Sequence, residues 1–365
     1  MAAPSFNVYV ANANDSGEIT LSNVQSISFK TGRERQLDQY SSCSGTIVVR
    51  QPTAQSSIIV PGAIVRCTWE NGASDVQQFR VFVSNIQMQY GIPYAGGVAN
   101  ADFLIISLEG YLAKCGRTSG ENYAMAAGTL NAQKDAAGTA SGLTIAYSSL
   151  PATGPLMGST TVSGTWADWV NYVCLTTNGR MQEDYSAVYL FSPFDPRVST
   201  VNFSDTTNNA TNHVYDKIEF GSYADNYYTQ TIVDPESFAA QTVQTGSRPY
   251  RTYSVNTVNA SASQALDYAN YLLNNFKTPN VAPTSISWLA NAQNNYAGAA
   301  GFGVGTQVNV TFRGTTYTMI IEGTSFSAQP GEARYTYYVS AADLNAYLIL
   351  DNATFGKLDS NRLGY

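Results

Sequence analysis

The chain has 365 residues, of which 44% are hydrophobic and 12% are charged, and its net charge is −7. This length allows two to three domains, and the hydrophobic share excludes disorder throughout. The acidic balance provides no basic surface for phosphates, so we expect no sequence-specific contact with nucleic acid.

Charged residues are about half as frequent as the usual ~25%, and Tyr occurs 25 times. Low charge and abundant aromatics are typical of large subunit interfaces, and a secreted β-rich protein would show the same composition. The residues Met1–Phe6 lack the basic start and apolar run of a signal peptide. No apolar run approaches the ~20 residues that span a bilayer. We therefore expect synthesis in the cytoplasm and export by another route, such as virion assembly.

The first section, residues 1–117, is predicted to be a β-barrel or sandwich. Ile27 and Phe29 alternate with polar residues, and further short apolar runs are separated by turn-forming residues. These runs are Gly45–Arg50, Ile64–Trp69, Phe79–Val83 and Phe103–Leu108.

The middle section, residues 118–213, is predicted to be a small α/β module. Residues 124–142 are rich in Ala, Gly, Thr and Ser and are interpreted as a flexible junction. Ser163–Cys174 has helical spacing, with Ser163 or Thr165 as the cap and Asn178-Gly179 as the stop. A hairpin is predicted to follow, from Arg180–Asp184 to Ala187–Phe191.

The third section, residues 214–343, is predicted to be a second β-barrel-like domain with one helix. Ser263–Phe276 carries an apolar stripe and is followed by Pro279. Val308–Phe312 and Tyr317–Ile321 are predicted to form a hairpin around Arg313-Gly314, and Arg334–Val339 a further strand.

The search for catalytic chemistry gives no convincing site. The single histidine, His213, is interpreted as part of a polar surface loop, and no nucleophile elbow accompanies it. Glu183 and Asp184 are adjacent on a strand and should point to opposite faces, so they are interpreted as solvated acids. The glycine-rich Gly298–Gly305 is interpreted as a turn that enters a strand. We expect no cofactor, no metal and no enzymatic activity.

The cysteines Cys43, Cys67, Cys115 and Cys174 have neither zinc-site nor disulfide-framework spacing. Reduced, buried thiols are expected, and a Cys43–Cys67 bridge between neighbouring strands remains open.

Three segments together resemble the minor tail or hub proteins of long-tailed bacteriophages, especially those that infect actinobacteria. The first combines Gly32–Asp38, Ser44–Val49 and Pro61–Val65, and the second is Trp166–Arg180 with its hairpin. The third is the ending, Val339–Asp351 and Phe355–Tyr365, with its Phe-Gly-x-Leu-Asp and Asn-Arg-Leu patterns. The chain departs from the family at residues 50–57, where a different loop sequence follows Val49.

The resemblance implies a homotrimer in which each chain contributes two β-barrel-like tube domains. Six barrels would form a pseudo-sixfold ring that adapts a hexameric tail tube to a threefold tip. The implied location is the virion tail tip, with distal tail or tail-tube proteins above and tip or receptor-binding proteins below. The implied role is a structural baseplate hub that supports host attachment and DNA ejection.

Two groups of residues are candidates for interactions. Arg33, Arg35 and Asp38 are expected to pair locally or across subunits. The C-terminal arm, residues 344–365, is too apolar in its first part to lie free in water, so it should dock on this chain or a neighbour. Its candidate contact residues are Leu344, Tyr347, Leu348, Phe355, Leu358, Asp359, Arg362, Leu363 and Tyr365.

Two alternative functions remain. A receptor- or carbohydrate-binding tail protein could use Tyr223, Tyr227 and Tyr228 as a sugar platform, and interface packing is the simpler explanation of that cluster. A secreted β-rich hydrolase is the second alternative. The missing signal peptide and the single histidine weigh against it.

Overall fold

The computed structural model describes residues 5–50, 59–70, 75–91, 102–148, 153–192, 197–198, 202–206, 212–221, 227–278, 281–290, 303–342, 347–348 and 362–363. The chain is mainly β, with four helices among these residues, which confirms the predicted mainly β class with helices.

The first section forms the expected succession of strands. Apolar residues alternate with polar ones along most of them, so one face of each strand is buried. The strands are β1 (Ser5–Ala11), β2 (Ile19–Thr20), β3 (Val24–Gly32), β4 (Ser44–Arg50), β5 (Ile64–Glu70), β6 (Val76–Gln89) and β7 (Phe103–Glu109).

The middle section is an α/β module with its own core around Trp166 and Trp169. The end of the first section adds α1 (Tyr111–Arg117) to this core. The module's further elements are β8 (Tyr123–Met125), β9 (Gly128–Thr129), α2 (Leu130–Ser141), β10 (Ile145–Tyr147), β11 (Leu156–Met157), β12 (Thr160–Val162), α3 (Trp166–Thr177), β13 (Arg180–Glu183), β14 (Val188–Phe191), β15 (Arg197–Val198), β16 (Asn202–Ser204) and β17 (Asn212–Val214).

Local sequence accounts for α3 as expected. Thr165 and Asp168 form a reciprocal capping box, and Asn178 ends the helix in the left-handed conformation at φ 49°. The predicted junction at residues 124–142 is wrong, because it contains the twelve-residue α2. Thr129 caps α2, Gly142 ends it at φ 68°, and its alanines are good helix formers.

The third section contributes β18 (Lys217–Gly221), β19 (Gln230–Pro235), β20 (Gln241–Gln244), β21 (Thr252–Thr257), α4 (Ala262–Phe276), β22 (Ala282–Ala290), β23 (Thr306–Phe312), β24 (Thr315–Gln329), β25 (Glu332–Ala341), β26 (Tyr347–Leu348) and β27 (Arg362–Leu363). The predicted helix and hairpin are confirmed. Ser261 caps α4, and Arg313 and Gly314 turn at φ 49° and 81°. Strands β19, β20 and β21 form a separate sheet that packs against α4.

Fifteen strands from all three sections form one large sheet. β3 pairs with β4 on one side and with β24 on the other, so the first and third sections share a continuous ladder. Their side chains also share one core, in which Trp69, Trp288 and Tyr335 stack. The described strands do not close into a barrel, and the barrel-like domains and the three predicted domain boundaries remain proposals.

His213 does not lie in a surface loop as predicted. It is on β17, paired with Phe203 of β16, and is 4% exposed. Burial lowers the pKa of its imidazole. The flanking asparagines suggested a polar loop, but strand pairing turns this side chain toward the interior.

Candidate functional site

Two glycines let β3 and β24 approach closely at the point where the three sections meet. Gly32, at φ 81°, is paired with Gly323. A Cβ on Gly32 would lie 2.4 Å from the Glu322 carbonyl oxygen, and one on Gly323 would lie 2.4 Å from the Arg33 carbonyl oxygen. The β24–β25 register shifts between Ile321 and Gly323. Such an irregularity redirects a side chain, here that of Glu322.

The Glu322 carboxylate is fully buried between two arginines. Its Oε1 accepts hydrogen bonds from Arg180 Nη2 at 2.9 Å, from Arg180 Nε at 3.1 Å and from Ser340 Oγ at 2.6 Å. Its Oε2 accepts one from Arg33 Nε at 2.9 Å. Arg33 Nη2 also lies 2.9 Å from Oε2, in an ion pair outside hydrogen-bond geometry. Arg33, Arg180, Glu322 and Ser340 are called the charged junction below.

The electrostatics favour the ionised carboxylate. Burial alone would raise the pKa of Glu322, but the charges of Arg180 and Arg33 and the hydrogen bonds overcome it and lower that pKa to about 2. The two guanidinium groups leave one excess positive charge. The ring of Tyr40 faces the Arg33 guanidinium at 4.6 Å, and the Asp38 carbonyl accepts from Arg33 Nη1 at 3.3 Å.

The charged junction links residues that are remote in sequence. Arg33 belongs to the first predicted section, Arg180 to the middle one and Glu322 to the third. Removing one member of a buried ion pair leaves an uncompensated charge in the interior, so loss of any one of these side chains is expected to destabilise the contact between the three sections. The carboxylate oxygens already accept hydrogen bonds from these donors, so the cluster holds the three sections in fixed positions relative to each other.

Glu183, at the other end of β13, forms a second buried attachment. It is 7% exposed, and its carboxylate accepts backbone N–H bonds from Cys43 and Leu112. A Cβ on Gly110 would lie 2.3 Å from this carboxylate, so the glycine leaves it room. Burial raises the pKa of Glu183 despite these hydrogen bonds.

The prediction of two solvated acids is therefore wrong for Glu183. The backbone N–H groups that surround it belong to Cys43, just before β4, and to Leu112, near the start of α1. The position of Glu183 on its strand does not reveal these donors. Asp184 accepts backbone N–H bonds from Ser186 at 2.6 Å and Ala187 at 3.1 Å, which stabilises the hairpin turn.

The predicted interaction residues of the first section fall in two environments. Arg35 Nη2 lies 3.1 Å from Asp38 Oδ1 within the chain, and both side chains are about one-third exposed. Arg33 instead points inward to Glu322. Contacts of these residues with other subunits remain a prediction.

The predicted C-terminal contacts remain a prediction as well. Tyr347–Leu348 and Arg362–Leu363 form β26 and β27, which pair in parallel. The other candidates lie outside the described residues, namely Leu344, Phe355, Leu358, Asp359 and Tyr365.

Sequence reasoning did not identify Arg180, Glu183 or Glu322 as members of buried clusters. The sequence offered one indication of such a cluster, the single carboxylate of Glu322 within the apolar run Met319–Gly323. A charge at such a position is rarely buried without a partner.

The four cysteines are free and buried, so no Cys43–Cys67 bridge forms. In the part of the chain that the structure describes, no three His, Cys, Asp or Glu side chains are grouped to hold a metal ion. None of the described helices combines the length and the apolar character needed to cross a membrane.

The fold is shared with solved structures of tail proteins and of a type VI secretion system component. The tail protein from Neisseria meningitidis MC58 aligns with a TM-score of 0.62 at 10% identity, over 92% of this chain and 97% of its own. The 43 kDa tail protein of prophage MuSo2 from Shewanella oneidensis gives 0.62 at 12% identity, over 93% and 99%. An E. coli type VI secretion system component, which exhibits structural similarity to the T4 bacteriophage tail proteins gp27 and gp5, gives 0.50 at 8% identity, over 87% and 73%.

No protein-family model matches the sequence, and no curated protein matches it significantly. At these identities the comparisons establish the fold, which is that of phage tail proteins.

Proposed function

We propose that the chain is a structural subunit of a bacteriophage tail and acts as the baseplate hub at the tail tip. The observation that carries this proposal is the extent of the structural match. It covers 92–93% of this chain and 97–99% of two tail proteins, so the whole architecture is shared and not one common domain. The similarity to a protein that itself resembles the T4 tail proteins gp27 and gp5 supports the tail role, and the hub position rests on the sequence resemblance.

The proposed hub is a homotrimer in the virion of a long-tailed phage, with an actinobacterial host suggested by the sequence resemblance. Residues 1–117 and 214–343 would supply two tube domains per chain, with residues 118–213 outside or beneath them. Six such domains would adapt the hexameric tail tube above to a threefold tip below. The C-terminal arm, residues 344–365, would dock on a neighbour.

Such a subunit acts by holding the neighbouring tail proteins in a fixed arrangement, and we propose no enzymatic activity. The charged junction supports this role because it fixes the three sections of one chain relative to each other. Force or a signal arriving at the tip could then pass to the tube through a rigid subunit during host attachment and DNA ejection.

Light scattering after size-exclusion chromatography tests the stoichiometry, and electron microscopy of virions labelled with an antibody to this chain tests the position. The expected mass is that of three 39.3 kDa chains, about 118 kDa, and the expected label is at the tail tip. A stable monomer that cleaves a polysaccharide would overturn the hub proposal.

The carbohydrate-binding alternative gains no specific support. Tyr228 packs against Tyr253 and Phe276, with ring centroids 5.0 and 6.4 Å apart, and Arg251 covers Tyr227. These contacts are typical of packing. Tyr223 lies outside the described residues.

A further inference from the structure

A polar cleft separates the start of α3 from the small sheet of the third section. It is lined on one side by residues 160–165 and Asp168, and on the other by Glu236 and residues 253–256. None of the charged-junction residues lines this α3–β21 cleft, and Leu37 and Gln39, on either side of Asp38, also line it. Its two walls belong to different sections of the chain.

The α3–β21 cleft has a negative lining. Asp168 and Glu236 are its only charged lining residues among those described, and no Lys or Arg lines it. Both carboxylates are held in place. Asp168 Oδ2 accepts from the Thr165 backbone N–H at 2.8 Å, and Glu236 accepts from the Thr160 hydroxyl. Burial and the charges of Glu236 and Asp234 raise the pKa of Tyr172, another lining residue, to about 12.

The other wall of the cleft is an open strand edge. β21 is the terminal strand of the described three-stranded sheet. The backbone N–H of Glu236 donates to the Thr257 carbonyl, and that of Gln230 donates to the Arg251 carbonyl. The backbone groups of the odd-numbered residues of β21 therefore point toward β19. Because backbone groups alternate along a strand, Ser254 and Asn256 direct theirs away from the sheet. Both residues are exposed.

This edge lacks the features that usually prevent strand addition. β18 is also an edge strand, but it carries Lys217 and Glu219 and a bulge after Glu219. Charges and bulges of this kind discourage pairing with another chain. β21 offers Thr252, Ser254 and Asn256 at its exposed positions, with neither a charge nor a proline.

A buried donor also lies at the α3–β21 cleft. Trp169 lines it and is 2% exposed, and its indole Nε1–H has no acceptor among the described residues. Buried polar groups usually have a hydrogen-bond partner.

We infer that the α3–β21 cleft receives an extended segment of another tail protein, which carries Lys or Arg and adds a strand to β21. Main-chain pairing to Ser254 and Asn256 would give affinity, and the two carboxylates would select a basic segment. The identity of the partner as a tail protein rests on the proposed function, whereas the chemistry of the segment rests on the cleft alone.

The test uses the full chain and two fluorescein-labelled eight-residue peptides, one of alternating Lys and Thr and one of alternating Glu and Thr. Fluorescence anisotropy should show binding of the Lys peptide only, weakened by added salt. Glu236→Gln should reduce its affinity roughly two- to fivefold, the range for one partly exposed charge pair. Glu332→Gln, at the start of β25 and outside the cleft lining, should leave the affinity unchanged.

Strand addition is measured separately by amide hydrogen exchange. The Lys peptide should slow exchange at Ser254 and Asn256, and Ser254→Pro should abolish binding, since it removes an outward N–H without breaking the β19–β21 ladder. Circular dichroism verifies that this variant folds, and Glu236→Gln provides an independent readout if it does not.

Equal binding of both peptides, or no protection of β21, would overturn the inference. Self-association that Ser254→Pro abolishes would also overturn it, in favour of a second copy as the occupant. A trimer at the tail tip that binds neither peptide would refute the proposal for the cleft and leave the hub proposal standing. A monomer that binds the Lys peptide as described would refute the hub proposal and leave the proposal for the cleft standing.

Discussion

Replacing Glu322 with Gln removes the one negative charge that lies between two buried guanidinium groups. The substitution keeps the size and shape of the side chain, so it changes the charge with little change in packing. Arg33 and Arg180 are 5% and 2% exposed and would keep their charges without a counterion. The variant therefore measures the cost of leaving the two buried guanidinium groups without their counterion.

Two independent estimates give a similar magnitude. Removing one partner of a buried ion pair typically costs about 3–5 kcal/mol. The pKa of Glu322 falls from an ordinary 4.5 to about 2, and at ~1.4 kcal/mol per pKa unit this corresponds to about 3–4 kcal/mol. We expect Glu322→Gln to lower the free energy of unfolding by about this amount at pH 7.

The pH dependence has a defined sign. A carboxyl group whose pKa is lower in the folded state stabilises the fold above its unfolded pKa. The difference in stability between wild type and Glu322→Gln should thus be complete above pH 4.5 and shrink as the pH falls toward 2.

Urea denaturation followed by circular dichroism measures both effects. Asp38→Asn is the matched control, since it removes a carboxylate from the partly exposed Arg35 pair and should cost at most about 1 kcal/mol. A Glu322→Gln variant within 1 kcal/mol of wild type, or one no less stable than Asp38→Asn, would refute the role of the charged junction.

Three further predictions concern other sites. Because burial raises the pKa of Glu183, wild type should lose stability relative to Glu183→Gln as the pH rises from 4.5, and a constant difference in urea titrations would contradict this. Gly323→Ala should destabilise by about 1–3 kcal/mol or more, because its Cβ would meet the Arg33 backbone. Gly116→Ala is the control in α1, since its Cβ would meet nothing closer than 3.8 Å, and it should stabilise by about 0.5–1 kcal/mol. Equal melting temperatures for Gly323→Ala and Gly116→Ala would refute the steric reasoning. The thiols should resist a disulfide-exchange reagent at pH 8 until the protein unfolds, since all four are buried and burial raises the pKa of Cys115 and Cys174 to about 12; rapid reaction of the folded chain would contradict this.

Local sequence was sufficient where near neighbours decide the structure. Thr165 and Asn178 mark the ends of α3, and Arg313-Gly314 supplies the positive φ angles of the β23–β24 turn. The same reasoning failed at α2, where small residues suggested a loop but the caps and alanines form a helix. It also failed at His213, where polar neighbours hid a buried strand.

The sequence by itself determined the mainly β character, the two predicted helices and the hairpin around Arg313-Gly314, whereas the state of Cys43 and Cys67 was decided only by the structure. Each of the features that the sequence determined depends on residue type and on neighbours a few positions away. Only the tertiary structure decided that Gly32 meets Gly323 and that Arg33 binds a carboxylate 289 residues along the chain. Whether a charge is buried and paired depends on contacts that form when distant strands join one sheet, and no local pattern specifies that pairing.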